Sequence, residues 1–131
     1  MEQDRITVDA HTLIWYVHEP SRRHLSALAL EAIRDAERDG IVYVPTIVLL
    51  EILRIIEKGR YPLSFDTLLF GLERSMSYEI IPFDVRLLRV AMILQDLTLH
   101  DRIIAATAMI TNSALVSRDR MIGVPGVTVV W

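Results

Sequence analysis

The sequence predicts an α/β fold: a three-layer α/β/α sandwich built on a five-stranded parallel sheet. Short apolar runs rich in Val, Ile and Tyr alternate along the chain with longer segments whose apolar residues recur every 3.6 positions. Strands and helices in alternation favour a parallel sheet covered on both faces. The chain has 131 residues and a mass of 15.0 kDa, 52% hydrophobic and 24% charged, with only 5 Gly and 5 Pro, which excludes a disordered or collagen-like chain. A single domain over residues 1–131 is expected, since folding at this size removes roughly two-thirds of the unfolded surface from water.

The first expected strand is Arg5-Ile6-Thr7-Val8-Asp9, followed by a helical stretch at Leu13-Ile14-Trp15-Tyr16. Ser21 to Asp39 places Leu25, Leu28, Ala29, Ala32, Ile33 and Ala36 at helical spacing and stops at Gly40. Ile41 to Val44 is the second strand, and the helix from Thr46 to Lys58 stops at Gly59. A helix over Ser64–Ser75 leads to a third strand, Tyr78–Ile81. Helices over Asp84–Gln95 and His100–Thr111 precede strands at Ala114–Ser117 and Val127–Val130. No repeat, long linker or low-complexity tract interrupts the series.

Charge and composition narrow the function. The net charge of −3 does not advertise nucleic-acid binding. Of the 14 basic residues only Lys58 is lysine, and arginine's forked donors suit phosphate and carboxylate partners, although on composition alone a genome-level preference for arginine explains the bias better. The absence of cysteine excludes a disulfide framework, a thiolate nucleophile and a zinc ribbon, so any metal must sit on oxygen or imidazole. The acidic start Met1-Glu2-Gln3-Asp4 is unlike a signal peptide, and no apolar run resembles a membrane span of about 18 residues. A soluble cytoplasmic protein without a membrane partner is expected.

In a parallel sheet the working residues gather beyond the carboxyl ends of the strands. Asp9 closes the first strand, where it is either a helix cap or a ligand. Glu51 interrupts the apolar run Ile47-Val48-Leu49-Leu50-Glu51-Ile52-Leu53 and needs a partner there; Arg54 and Lys58 share its face and offer an ion pair. Asp101 opens an apolar helix, and Thr98-Leu99-His100-Asp101 also matches a capping box. Asp119 follows the fourth strand in Ser117-Arg118-Asp119-Arg120, where it could organise a turn. Each acid has a structural explanation, yet all four can face one crevice, two from strand ends and two from the first turns of helices. Four close carboxylates repel and are stable mainly around a divalent cation, and an oxygen-only site suits Mg²⁺ or Mn²⁺. Metal-assisted phosphodiester hydrolysis follows as the favoured chemistry.

On these residues the sequence resembles PIN-domain endoribonucleases, and among them the VapC-type toxins of type II toxin–antitoxin systems. The resemblance spans Val8-Asp9-Ala10-His11-Thr12-Leu13-Ile14-Trp15, Glu51 in its apolar helix, His100-Asp101-Arg102-Ile103-Ile104-Ala105-Ala106-Thr107-Ala108, Leu115-Val116-Ser117-Arg118-Asp119-Arg120 and the closing Val130-Trp131. It implies a PIN-like sheet with Asp9, Glu51, Asp101 and Asp119 as catalytic, metal-binding carboxylates, RNA as substrate, Mg²⁺ or Mn²⁺ as cofactor, a homodimer and a cognate antitoxin. The chain departs from the pattern of many members at Ala10 and Ser117, both of which are often Thr; the first loses a hydroxyl and the second keeps one.

Thr12, Asp96, His100, Arg102, Ser117, Arg118 and Arg120 are further candidates for supporting the acids or contacting substrate. The arginines could hold RNA phosphates or balance the acidic cluster. His11 and His100 could act as bases but equally as structural residues, and Trp15, Tyr16 and Trp131 could stack on bases or pack in a core. A phosphorylated receiver domain would need a lysine near the last strand, where Lys58 is misplaced. A haloacid-dehalogenase-type phosphatase would need a second Asp where His11 stands. The remaining alternatives are a PIN nuclease of RNA processing that is not a toxin and a non-catalytic PIN scaffold.

Overall fold

A computed structural model of the chain describes residues 4–131, so the acidic start Met1-Glu2-Gln3 lies outside the described residues. Five parallel strands form one sheet in the order β3-β2-β1-β4-β5, comprising β1 (Arg5–Val8), β2 (Ile41–Pro45), β3 (Tyr78–Ile81), β4 (Ala114–Val116) and β5 (Val129–Val130). The helices are α1 (Ala10–Val17), α2 (Ala27–Asp39), α3 (Thr46–Glu57), α4 (Phe65–Arg74), α5 (Val85–Ala91) and α6 (Leu99–Thr111), with short 3₁₀ turns at Glu19–His24 and Arg120–Ile122. Among the described residues no helix is long and apolar enough to cross a membrane.

The strands distribute their side chains between two helical layers as the period of two requires. Ile6, Val8, Val42 and Val44 join the larger core with residues of α1, α2 and α3, including Leu13, Ile33, Val48 and Ile52. Tyr43 and Ile81 point the other way and pack with Leu87 and Ala91 of α5 and Ile103 and Ala106 of α6. Because α6 is covered on several sides, Ile103 through Ala108 are all buried. Its buried hydroxyls are satisfied in series: Thr107 donates to the Ile103 carbonyl at 2.8 Å and Thr111 to the Thr107 carbonyl at 2.7 Å. Ser113 then links the Thr111 hydroxyl (2.8 Å) to that of Thr7 (2.7 Å), which ties the end of α6 to β1.

Several boundaries differ from the sequence expectation. The helix expected over Ser21–Asp39 splits, because Ser26 caps a separate α2 by accepting from the Ala29 amide at 3.0 Å, while Leu25 is extended. The first helix starts at Ala10, directly after its cap Asp9. Expected to reach Gln95, α5 ends at Ala91; the next residues, Met92 and Ile93, are exposed and gain no burial from continuing it. Only two residues of the last strand pair, since its one partner, β4, is itself three residues long.

Gly40, where α2 stops, is required by a close approach of the backbone. A Cβ at this position would lie 1.6 Å from the Asp4 carbonyl oxygen, which accepts from the Ile41 amide at 2.8 Å as the first strand aligns with the second. Gly59, by contrast, follows α3 with φ +79° and is the left-handed residue its position requires. Gly40→Ala should therefore destabilise the fold by about 1–3 kcal/mol in urea unfolding, as the backbone of Asp4 is forced away.

At the amino edge of the sheet, Glu37 of α2 accepts hydrogen bonds from the hydroxyls of Tyr16 (2.5 Å) and Tyr78 (2.6 Å), joining α1, α2 and β3. Burial first, then these bonds to a carboxylate, push both hydroxyls above the ordinary tyrosine range. A raised folded-state value means the folded protein keeps protons that the unfolded chain releases. Stability is thus fully present below pH 10 and falls as pH rises beyond it, by up to about 1.4 kcal/mol per pH unit for one tyrosine. Denaturation at pH 9 to 11 should show this slope, and Tyr78→Phe should flatten it.

Candidate active site

The order β2-β1-β4 means the chain crosses from one side of β1 to the other between its first and last thirds, and a crevice opens beyond the carboxyl ends of β1 and β4. Asp9 stands at the end of β1 as the N-cap of α1, its Oδ1 accepting from the Thr12 amide at 3.0 Å. Its other oxygen, Oδ2, accepts at 2.5 Å from the hydroxyl of Ser117, which is fully buried at the end of β4. The same Ser117 oxygen accepts from the Asp119 amide at 3.1 Å. One hydroxyl thus couples two acids, although they lie far apart in the chain. The Asp119 carboxylate accepts from the Met121 amide at 3.0 Å and caps the short 3₁₀ turn, which is the turn-organising role its sequence context offered.

Glu51 and Asp101 come from the other side. Glu51 is the sixth residue of α3, in its second turn rather than the first, and is half-buried. Its Oε1 lies 2.6 Å from His100 Nε2. That nitrogen is buried and has no aligned hydrogen-bond partner among the described residues, so the contact is close but poorly directed. The ion pair offered by Arg54 and Lys58 does not form; both residues are exposed, and α6 supplies the partner instead. Asp101, in the first turn of α6, is half-buried. The Thr98 hydroxyl accepts from its amide at 3.3 Å, so the helix is capped from Thr98, and the Asp101 carboxylate has no bonded partner among the described residues.

The four acids line two cavities. Asp9 and Asp119 line a cavity of about 480 Å³ with His11, Thr12, Trp15 and Arg118, whereas Glu51 and Asp101 line another of about 590 Å³ with His100 and Arg54. Among the described residues no three Asp, Glu or His side chains form a ready metal cage. Like charges repel, and the acids are held apart by separate partners: Ser117 and the Thr12 amide for Asp9, the Met121 amide for Asp119 and His100 for Glu51. The donor set nevertheless suits a hard divalent cation: all four are carboxylates, and Asp9, Asp101 and Asp119 have no arginine or lysine within 4.0 Å among the described residues.

Comparison with known proteins places this arrangement. A family model described as the PIN domain matches residues 6–124. The chain belongs to the PIN-domain family. No curated protein matches it by sequence. Among solved structures it is similar to VapBC2 from Rickettsia felis bound to a DNA fragment from their promoter, with TM-score 0.71, 15% identity and coverage of 95% of this chain and 96% of that one. A toxin-antitoxin complex from Klebsiella pneumoniae gives TM-score 0.66 at 20% identity, over 94% of this chain and 95% of the other. FitAcB from Neisseria gonorrhoeae gives 0.63 at 21% identity, over 95% of each chain.

The other candidate residues of this PIN chain separate into different places. Thr12 is buried, and its hydroxyl donates to the Val116 carbonyl at 3.2 Å, bracing α1 against β4. Arg102 donates to the carbonyls of Leu97 (2.9 Å) and Gln95 (3.2 Å) and closes the loop before α6. Arg120 is exposed and reaches the Trp131 carbonyl at 3.4 Å. Asp96 lines a separate groove with Ile93 and Met121. Tyr16 belongs to the Glu37 clamp at the opposite edge. The pairing of Glu51 with His100 went unrecognised in the sequence, where no spacing rule links residues on two helices. The contact of His11 with Trp15 was legible as an i, i+4 pair on α1.

Ser117→Ala removes the donor to Asp9 and the acceptor for the Asp119 amide together. It should cost about 1–3 kcal/mol in urea unfolding. Ser117→Thr, which keeps the hydroxyl, should cost less.

Proposed function

We propose that this PIN-domain protein, read as a single domain over residues 1–131, is a metal-dependent endoribonuclease and the toxin of a toxin–antitoxin pair acting in the cytoplasm. The observation that carries the reading is the coupling of Asp9 to Asp119 through Ser117 at the crevice between β1 and β4, with no basic side chain among the described residues neutralising either acid. PIN-domain proteins are nucleases, and the resemblance to the Klebsiella pneumoniae toxin-antitoxin complex supports an antitoxin as partner. A homodimer is part of the same proposal.

Asp9, Glu51, Asp101 and Asp119 would hold Mg²⁺ or Mn²⁺. When bound, the ion supplies positive charge for the phosphodiester and acidifies the attacking water. Ser117 and the Thr12 amide fix the orientation of the Asp9 carboxylate, and Met121 does the same for Asp119 through its amide. His100 holds Glu51 toward α6. Arg118, exposed on the wall of the Asp9 cavity and without a hydrogen bond among the described residues, is available to an RNA phosphate.

Incubating purified protein with single-stranded RNA and Mn²⁺ should yield fragments with discrete ends, and EDTA should suppress them. Asp9→Asn and Asp101→Asn should abolish cleavage; in EDTA Asp101→Asn should leave thermal stability unchanged or slightly raised because like-charge repulsion is relieved, whereas Asp9→Asn should lower it by giving up one of two bonded acceptor oxygens. Undiminished cleavage by both variants would falsify the assignment. A scaffold protein would show neither cleavage nor stabilisation by Mn²⁺. The toxin role predicts growth arrest on expression, relieved by the neighbouring gene.

A further inference from the structure

The cavity that holds Asp9 and Asp119 has a second wall of different chemistry. Trp15, one turn after His11 on α1, lines it together with His11 and Arg118. The Trp15 and His11 ring centroids lie 5.4 Å apart at 47°, and the Arg118 guanidinium carbon lies 6.0 Å from the Trp15 ring centroid. The indole is half-buried and held by further contacts. Its Nε1–H donates to the Tyr61 hydroxyl at 3.2 Å, and His24 and Trp131 pack against it with centroids at 5.3 and 6.1 Å. An aromatic ring anchored by a hydrogen bond and flanking rings is a rigid surface, and stacking on it costs little ordering.

We infer that the Trp15 ring is the platform on which the base next to the scissile phosphate stacks, with His11 beside it and Arg118 on the adjoining phosphate. The inference rests on the endoribonuclease reading and names a positioning residue for it. Charge selects the occupant. The Arg118 guanidinium disfavours a basic peptide, and the two carboxylates accept an anionic strand once the divalent ion of the endoribonuclease reading offsets their charge. A nucleotide presents an uncharged π-face to Trp15 and a phosphate to Arg118, and an unpaired strand leaves that face open. A cavity of about 480 Å³ falls within the size range of small-ligand pockets. Stacking of this kind is tolerant of sequence, so Trp15 would set position along the strand more than base identity.

The test uses the whole protein and a mixed-sequence single-stranded oligoribonucleotide whose cleavage point in Mn²⁺ has been mapped. An abasic ribose is then placed in turn at each nucleotide around the cut. At one position beside the cut, the abasic substitution should raise KM about tenfold with kcat little changed, the scale of one lost base–aromatic stack. Trp15→Leu should raise KM similarly on intact RNA and show no further penalty with the abasic strand, while Trp15→Phe should recover part of the loss. Binding supplies an independent readout: in Trp131→Phe, whose only tryptophan is Trp15, the intact strand should quench emission and the matching abasic strand should not. Cleavage of RNA with no abasic-sensitive position and no quenching overturns the stacking role and leaves the nuclease reading standing. No cleavage of any RNA by the wild type overturns both.

Discussion

The hydroxyl of Ser117 holds the carboxyl edge of the sheet together. It donates to Asp9 and accepts from the amide of Asp119, so a single neutral group of fixed orientation joins the ends of β1 and β4. These neighbouring strands lie on opposite sides of a change in winding direction, where the backbone separates and leaves room for a ligand. Two acids brought to such a place repel each other, and an arginine between them would quench the repulsion and occupy the space. A buried serine orients one acid and the turn of the other without adding charge, so the cavity beside them stays open.

The rest of the edge follows the same economy of charge. Asp9 and Asp119 take backbone amides from the turns they cap, Glu51 takes the imidazole of His100, and Asp101 leaves capping to Thr98. Among the described residues no arginine pairs with these acids: Arg102 closes a loop, Arg120 reaches the last residue, Arg54 lines the Glu51 cavity and Arg118 stands against the Trp15 ring. Asp9, Asp119, Arg118 and Trp15 therefore line one cavity, an arrangement suited to the proposed metal, phosphate and base.

Further polar links lie away from this edge. The Tyr16–Glu37–Tyr78 clamp joins two helices to β3 at the amino side, and the hydroxyl series from Thr107 through Ser113 ties α6 to β1 beneath the crevice. Buried polar groups of this kind are safe only when every member is satisfied, and here each hydroxyl has a partner. A rigid frame on one side lets the carboxylates on the other remain partly exposed and weakly paired.

Local pattern alone determined a good deal of this protein. Apolar periodicity marked the five strands and the main helices, and the position of Asp9 and Asp119 at strand ends located the functional edge. Helix ends were less legible: Ser26 began a new α2 inside one continuous apolar pattern, because a cap is a single side-chain contact that periodicity does not register. Tertiary structure alone decided the partners. Glu51 passed over Arg54 and Lys58 on its own helix for His100 on another, and four acids expected in one pocket divided between two. Spacing along one element specifies which residues share a face, but the contact between faces depends on how the elements pack, and repulsion then sets the side-chain positions within what packing allows.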